Sequence, residues 1–260
     1  MEYGPPAREK EASVKDSAFV HAGNLSRFVN TNERLLGGER PRGAVLEFPG
    51  LGGGSCLGGH MDNAVYETEY TARLAEEGIL AVYVCAGPWS WMNRGAVRLT
   101  EAVAAALLEK YGLPSYFPFA ATGGSMGGTG ALIWSLSTRY HVSGCAAACP
   151  GIDLLNHYFS DQPHQRTLFD AAASYDQPIE ESLKSLSPQY RLDELKDIPY
   201  FIVGDGADEC FPIAGTDSFV SRMKGRGLPV DYRRLEGARH GEFTPEVRDA
   251  LTEFVIGCFA

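Results

Sequence analysis

One serine stands in a run of small residues, Thr122-Gly123-Gly124-Ser125-Met126-Gly127-Gly128, between a strand-like apolar stretch and a helical pattern. A Gly-x-Ser-x-Gly spacing in that setting suits a nucleophile. The serine has to occupy a tight, strained turn so that its hydroxyl stands clear of the sheet. Glycines two residues to either side remove side chains that would collide with the neighbouring helix and strand. A helix starting at Met126 aims its first N–H groups and the positive end of its dipole at an oxyanion forming beside Ser125, so the N–H of Met126 is one expected donor. The second is expected from the loop Phe48-Pro49-Gly50-Leu51-Gly52-Gly53-Gly54-Ser55, through the N–H of Leu51 or of Gly52. That loop fails as a dinucleotide fingerprint: counted from Gly50 the third glycine falls on Ser55, and counted from Gly52 it falls on Leu57. The chain contains no Gly-Lys pair and no His-Glu-x-x-His, which excludes a Walker A loop and that zinc-protease motif.

A serine hydroxyl needs a base to take its proton. Of six histidines, His21 and His60 precede Ser125, and His141 precedes any acid-bearing strand end. His157 and His164 lie in a long irregular segment, whereas His240 follows the last strand-like run, Val230–Leu235, in Glu236-Gly237-Ala238-Arg239-His240-Gly241, from where a loop can swing an imidazole over the sheet edge. His240 is the expected base. The acid that orients it is expected from Gly204-Asp205-Gly206-Ala207-Asp208-Glu209-Cys210-Phe211-Pro212. Asp205, Asp208 and Glu209 compete there, and Asp208 is preferred because its place in the loop turns it towards the histidine.

These residues need a frame. Strand-like runs at 44–48, 79–84, 119–122, 144–149, 200–203 and 230–235 alternate with helical patterns at 63–77, 96–111, from 126 onward, and at Pro245–Gly257, the last capped by Thr244 and anchored by Val247. Such alternation predicts an α/β fold, a mostly parallel sheet with helices on both faces, which binds ligands at the carboxyl ends of its strands. The chain reads as one domain, 1–260, with a short helical insertion over the site at 152–187 that is rich in His, Tyr, Phe, Asp and Gln. Trp89 and Trp91, after the 79–84 strand, either line the pocket or pack their loop; His157, Tyr158 and Phe159 could line it from the insertion, and His60 could support the oxyanion loop. The first fifteen or so residues read as a mobile tail.

Composition bounds the rest. The 260 residues are 44% hydrophobic and 22% charged, ordinary for a globular enzyme, and the net charge of −10 argues against a nucleic-acid partner. No run approaches a membrane span, the polar N-terminus does not read as a secretory leader, and Asn24-Leu25-Ser26 is therefore not expected to be glycosylated. The six scattered cysteines form no Cys-x-x-Cys pair and read as reduced thiols in the cytoplasm. No metal or organic cofactor is called for; a small-molecule ester is the expected partner, and the oligomeric state is not encoded legibly.

With these residues in place, the chain resembles the α/β-hydrolase superfamily from about residue 45 to residue 254. Within it, Gly-Gly-Ser-Met-Gly-Gly, Ser187-Pro188-Gln189-Tyr190 and Gly-Asp-Gly-Ala-Asp-x-x-x-Pro look like the prolyl-oligopeptidase-like esterases, features shared with acetylxylan-type and other carbohydrate or carboxyl esterases. The resemblance implies Ser125, Asp208 and His240 as a triad and Met126 as an oxyanion donor. Pro49 stands where the HGGG loop of the lipase-like branch has a histidine. About forty residues precede the first core strand, too few for the propeller of true oligopeptidases, so the resemblance implies an esterase, with a small serine peptidase or amidase as the alternative.

Overall fold

The computed structural model describes residues 19–51, 66–160 and 164–260. Seven strands form one sheet in the order β1-β3-β2-β4-β5-β6-β7. They are β1 (Val29–Thr31), β2 (Gly43–Phe48), β3 (Ile79–Val84), β4 (Phe119–Gly124), β5 (Val142–Ala148), β6 (Tyr200–Asp205) and β7 (Val230–Leu235). All neighbours are parallel except β1, which runs antiparallel to β3 at one edge.

Alternate strand residues feed different cores. Leu46, Val82, Ala121 and Ile202 enter one apolar cluster; Val45, Ala81 and Ala120 enter another on the opposite face, and Phe201 a third. Burial on both faces is the reason the central strands are largely apolar runs, whereas the edge strand β7 leaves Asp231, Arg233 and Arg234 exposed. The helices that cover them are α1 (Glu69–Glu76), α2 (Arg94–Tyr111), α3 (Met126–Ser137), α7 (Ile213–Gly225) and α8 (Pro245–Gly257). Three short helices, α4 (Leu154–Phe159), α5 (Gln165–Ala172) and α6 (Ile179–Leu186), fall within the expected insertion and bury Leu154, Leu168, Leu183 and Leu186 against Trp91, Met126 and Phe211.

Several boundaries move. The helix expected at 63–77 has its described start at Glu69, capped by the Thr68 hydroxyl, which accepts from the Thr71 N–H; residues 63–65 lie outside the described residues. The 96–111 helix starts at Arg94 because the Asn93 side chain caps it by accepting from the Ala96 N–H. β4 and β6 run on to Gly124 and Asp205, and β5 covers 142–148. The terminal helix has the expected bounds, with the Thr244 hydroxyl accepting from the Val247 N–H. The expected N-terminal tail, His60 and Gly52 lie outside the described residues.

The crossovers set the site. The chain leaves β2 for β3 on one side and returns to β4 on the other, so the carboxyl ends of β2 and β4 are adjacent where the winding reverses. Phe48 and Gly123 pair across that point. A crevice at such a switch is the usual place for a ligand in an open α/β sheet.

Candidate active site

Ser125 sits at φ 57°, ψ −125°, between the end of β4 and the start of α3. A non-glycine residue with positive φ is strained and persists only where its surroundings impose it. Here they do so by lack of space. A Cβ on Gly127 would lie 2.0 Å from the Phe48 carbonyl oxygen, one on Gly123 would lie 2.5 Å from the Gly127 carbonyl, and one on Gly128 would lie 2.8 Å from the Ala148 oxygen. The glycines around the serine therefore let α3 press onto the ends of β2, β4 and β5. The Ser125 N–H donates to the Ala148 carbonyl at 2.9 Å, and the buried Thr129 hydroxyl joins α3 to the loop after β5 by donating to the Gly151 carbonyl at 3.0 Å and accepting its N–H at 2.9 Å.

Met126 is the first helical residue, and no side chain caps α3. The first N–H groups of a helix have no intrahelical partner, so they face the serine's surroundings. Gly50, from the β2 loop, lies against the turn: a Cβ there would stand 3.9 Å from the Ser125 Cβ. Leu51 follows it into the same cavity.

His240 comes from the loop after β7. Its Nε2 lies 2.9 Å from Ser125 Oγ and its Nδ1 lies 2.8 Å from Asp208 Oδ2. A carboxylate oxygen only accepts, so Nδ1 carries the hydrogen and Nε2 is left to accept from the serine hydroxyl. The Asp208 side chain is buried, 2% exposed, and its other oxygen accepts the N–H groups of Cys210 at 2.7 Å and Phe211 at 2.8 Å. Burial alone would lower the pKa of His240; the Asp208 hydrogen bond and charge, with the charges of Asp205 and Glu209, outweigh it and raise the imidazole above its usual 6.5.

The competitors for the acid occupy separate places. Asp205, the last residue of β6, is 1% exposed and uses Oδ2 to accept the Gly241 N–H at 2.7 Å; its Oδ1 has no hydrogen-bond partner among the described residues. Desolvation pushes its pKa up, against the opposing effect of the Gly241 N–H. Glu209 accepts the His240 N–H at 3.3 Å and one from the Arg239 guanidinium at 3.0 Å. All three acids thus hold the histidine loop, but Asp208 alone reaches the ring.

Ser125 and His240 open into a cavity of about 320 Å³. Trp91 and His164 wall it on the insertion side, and Cys210 and Phe211 come from the loop after β6. A larger cavity, about 750 Å³, lies beside Arg94, Tyr175 and Lys184 and reaches none of Ser125, Asp208 or His240, so volume alone does not locate the chemistry.

The sequence expectations for the pocket divide. Trp91 lines the cavity, almost wholly buried. Trp89 does not; it is 40% exposed, with the Arg166 guanidinium 6.0 Å from its ring. His157 faces a neighbouring cavity of about 370 Å³ across Phe211, and Tyr158 packs on the insertion's apolar cluster; neither lines the Ser125 cavity. The cause is helical phase: α4 turns His157 inward behind Phe211, and His164, at the entry to α5, takes the place beside the serine. His164, Phe211 and Cys210 were not singled out as pocket residues from sequence; the only signal for His164 is its membership of the same histidine-bearing segment.

Among solved structures, the chain is similar to a puromycin hydrolase, at 22% identity and a TM-score of 0.64 over 86% of this chain and 34% of that one. It is similar to a truncated carbohydrate esterase from gut microbiota, at 15% identity and a TM-score of 0.64 over 85% of this chain and 87% of that one. It is also similar to Est1E from Butyrivibrio proteoclasticus, at 12% identity and a TM-score of 0.60 over 88% of this chain and 92% of that one. The chain thus spans about a third of the puromycin hydrolase. No protein-family model matches the chain, and no curated protein matches it by sequence. Among the described residues no helix is long and apolar enough to cross a membrane.

Proposed function

Starting from a chain with the α/β-hydrolase fold, which these solved structures share, we propose that this protein is a serine hydrolase that cleaves a small or carbohydrate-linked acyl ester. The observation that carries the reading is the unbroken hydrogen-bonded line from Asp208 through His240 to Ser125. Ser125 Oγ attacks the ester carbonyl while His240 Nε2 takes its proton. The resulting oxyanion is held by the N–H of Met126 and an N–H of the loop after β2, where Leu51 stands at the cavity and Gly52, the other expected donor, lies outside the described residues. Asp208 holds the ring in the Nδ1–H form and stabilises the imidazolium. His240 then gives the proton to the departing alcohol, the C–O bond breaks, and the acyl group stays on Ser125. Water, deprotonated by His240, repeats the attack and frees the acid.

The ester reading draws support from the match along most of the length of the carbohydrate esterase. A peptidase or amidase would use the same line of residues, and the likeness to a puromycin hydrolase favours keeping it as the second reading. A panel of aryl esters, acetylated sugars and aminoacyl amides separates the two: turnover of esters with little on amides is expected, and the reverse order would move the assignment to the amidase. Ser125→Ala should lower turnover of the best substrate by roughly 10⁴- to 10⁶-fold.

A further inference from the structure

A second imidazole reaches the cavity beside Ser125. His164 lines it, and its Nδ1 lies 3.0 Å from His157 Nε2, with the two rings stacked at 5.3 Å and 22°. The hydrogen shared by these nitrogens couples the two tautomers: when His157 donates it, His164 Nε2 carries a hydrogen and donates to a ligand, and when His164 donates it, Nε2 accepts. Desolvation, then the neighbouring imidazole, pulls His157 down to about 4, against Asp208; desolvation, then the charge of His240, lowers His164. Both rings are therefore neutral at neutral pH. His164 Nε2 has no hydrogen-bond partner among the described residues.

This imidazole belongs to an aromatic wall. The centroids of Trp91, His164 and Phe211 form a near-equilateral triangle, 6.2 Å for Trp91–Phe211 and 6.4 Å for each of the other two sides. The wall is braced: the Trp91 indole N–H donates to the Thr167 hydroxyl at 3.1 Å, and that hydroxyl donates to the His164 carbonyl at 2.8 Å. Among the described residues no lysine or arginine lines the cavity. The Phe211 ring stands edge to face on Trp91 at 85°, and His164 is tilted 58° from Trp91, so among the described residues the wall is an apolar, uncharged corner of rings with the His164 imidazole as its polar group.

On the serine-hydrolase reading, we propose that His164 is a substrate-binding residue whose Nε2 hydrogen-bonds a neutral polar group on an aromatic substrate ring lying along Trp91 and Phe211, and that His157 is the positioning residue that sets its tautomer. The preferred substrates are then aromatic esters that carry a hydroxyl and no charge. A buried polar atom left unpaired by an analogue without the hydroxyl is what makes such a site selective.

The test is a ratio of kcat/KM values, which cancels any general loss of activity. Two series are compared: 4-nitrophenyl esters of phenylacetic, hydroxyphenylacetic and 4-carboxyphenylacetic acids, and the acetates of phenol and resorcinol. The wild type should favour the hydroxylated member of one series by about tenfold and disfavour the carboxylate. His164→Phe should bring the hydroxyl preference close to one, His164→Gln should restore part of it, and His157→Phe should weaken it mainly through KM. A wild type indifferent to the hydroxyl in both series, or a preference that survives in His164→Phe, overturns the proposal. Should His164→Phe fail to fold, an unchanged ratio in His157→Phe overturns it equally. No turnover of any ester, together with no labelling by a fluorophosphonate, removes the serine-hydrolase reading itself and this proposal with it.

Discussion

Ser125 and His240 meet at 2.9 Å, yet the chain holds them by different means. On the β4 side the serine is fixed by packing: glycines without side chains let the backbone of α3 close onto Phe48 and Ala148, and the positive φ of Ser125 follows from that close approach. On the β6–β7 side the histidine is fixed by hydrogen bonds to carboxylates, from Asp208 to the ring, Glu209 to its own N–H and Asp205 to the next N–H. Packed backbone tolerates no added atom, whereas a hydrogen-bonded loop tolerates small changes and responds to pH. The difference teaches that stability should be sensitive in the first half of the site and turnover in the second.

Asp208→Asn is the sharpest way to probe the second half. Its oxygen can still accept from Cys210 and Phe211, but its amide donates to His240 Nδ1 and forces the wrong tautomer. Turnover should fall by about 10⁴-fold with little change in melting temperature, checked by steady-state kinetics and calorimetry on one preparation. Gly127→Ala probes the first half. With the new Cβ 2.0 Å from the Phe48 oxygen, it should cost about 3 kcal/mol and lower the melting temperature by roughly 10 °C; an alanine variant that melts like the parent would break the comparison.

The smallest effect is expected at Asp205. Asp205→Asn keeps an acceptor for the Gly241 N–H but removes one of the charges that hold the His240 pKa up. The base acts only when neutral, so wild-type kcat/KM should rise with pH through a midpoint above 6.5. Loss of a nearby negative charge disfavours the imidazolium, so the Asp205→Asn midpoint should move to lower pH, with turnover reduced about tenfold or less. A pH–rate profile checks both; a midpoint that moves upward would contradict the assigned electrostatics.

What was legible in the sequence follows the same division. The packed half announces itself, because a serine flanked by glycines between a strand and a helix is a local pattern with a steric cause. The strands β2 to β7 and the capped helix α8 were legible for the same reason, since Thr244 acts within one turn of itself; the Asn93 cap went unread, so α2 starts two residues before its expected bound. β1 was missed; three residues are too short for a period, and its Asn30 is polar though buried. The ordering of Asp205, Asp208 and Glu209 rests on where each side chain ends in space, and sequence offers only a preference. The pocket was least legible. Trp89 and Trp91 are two residues apart in an irregular loop without periodicity, and Trp91 turns inward at a positive φ of 45° that no pattern signals. His157 and His164 share one segment, and only the packing of α4 and α5 places the second at the cavity.

Labelling with a fluorophosphonate probe, followed by mass spectrometry of the peptides, interrogates the Ser125–His240 pair most directly. A single adduct on Ser125 is expected in the wild type, absent from Ser125→Ala and formed much more slowly in His240→Ala. An adduct on another residue, equal labelling of Ser125→Ala, or a folded wild type that takes up no probe would contradict the assignment of this serine as the nucleophile.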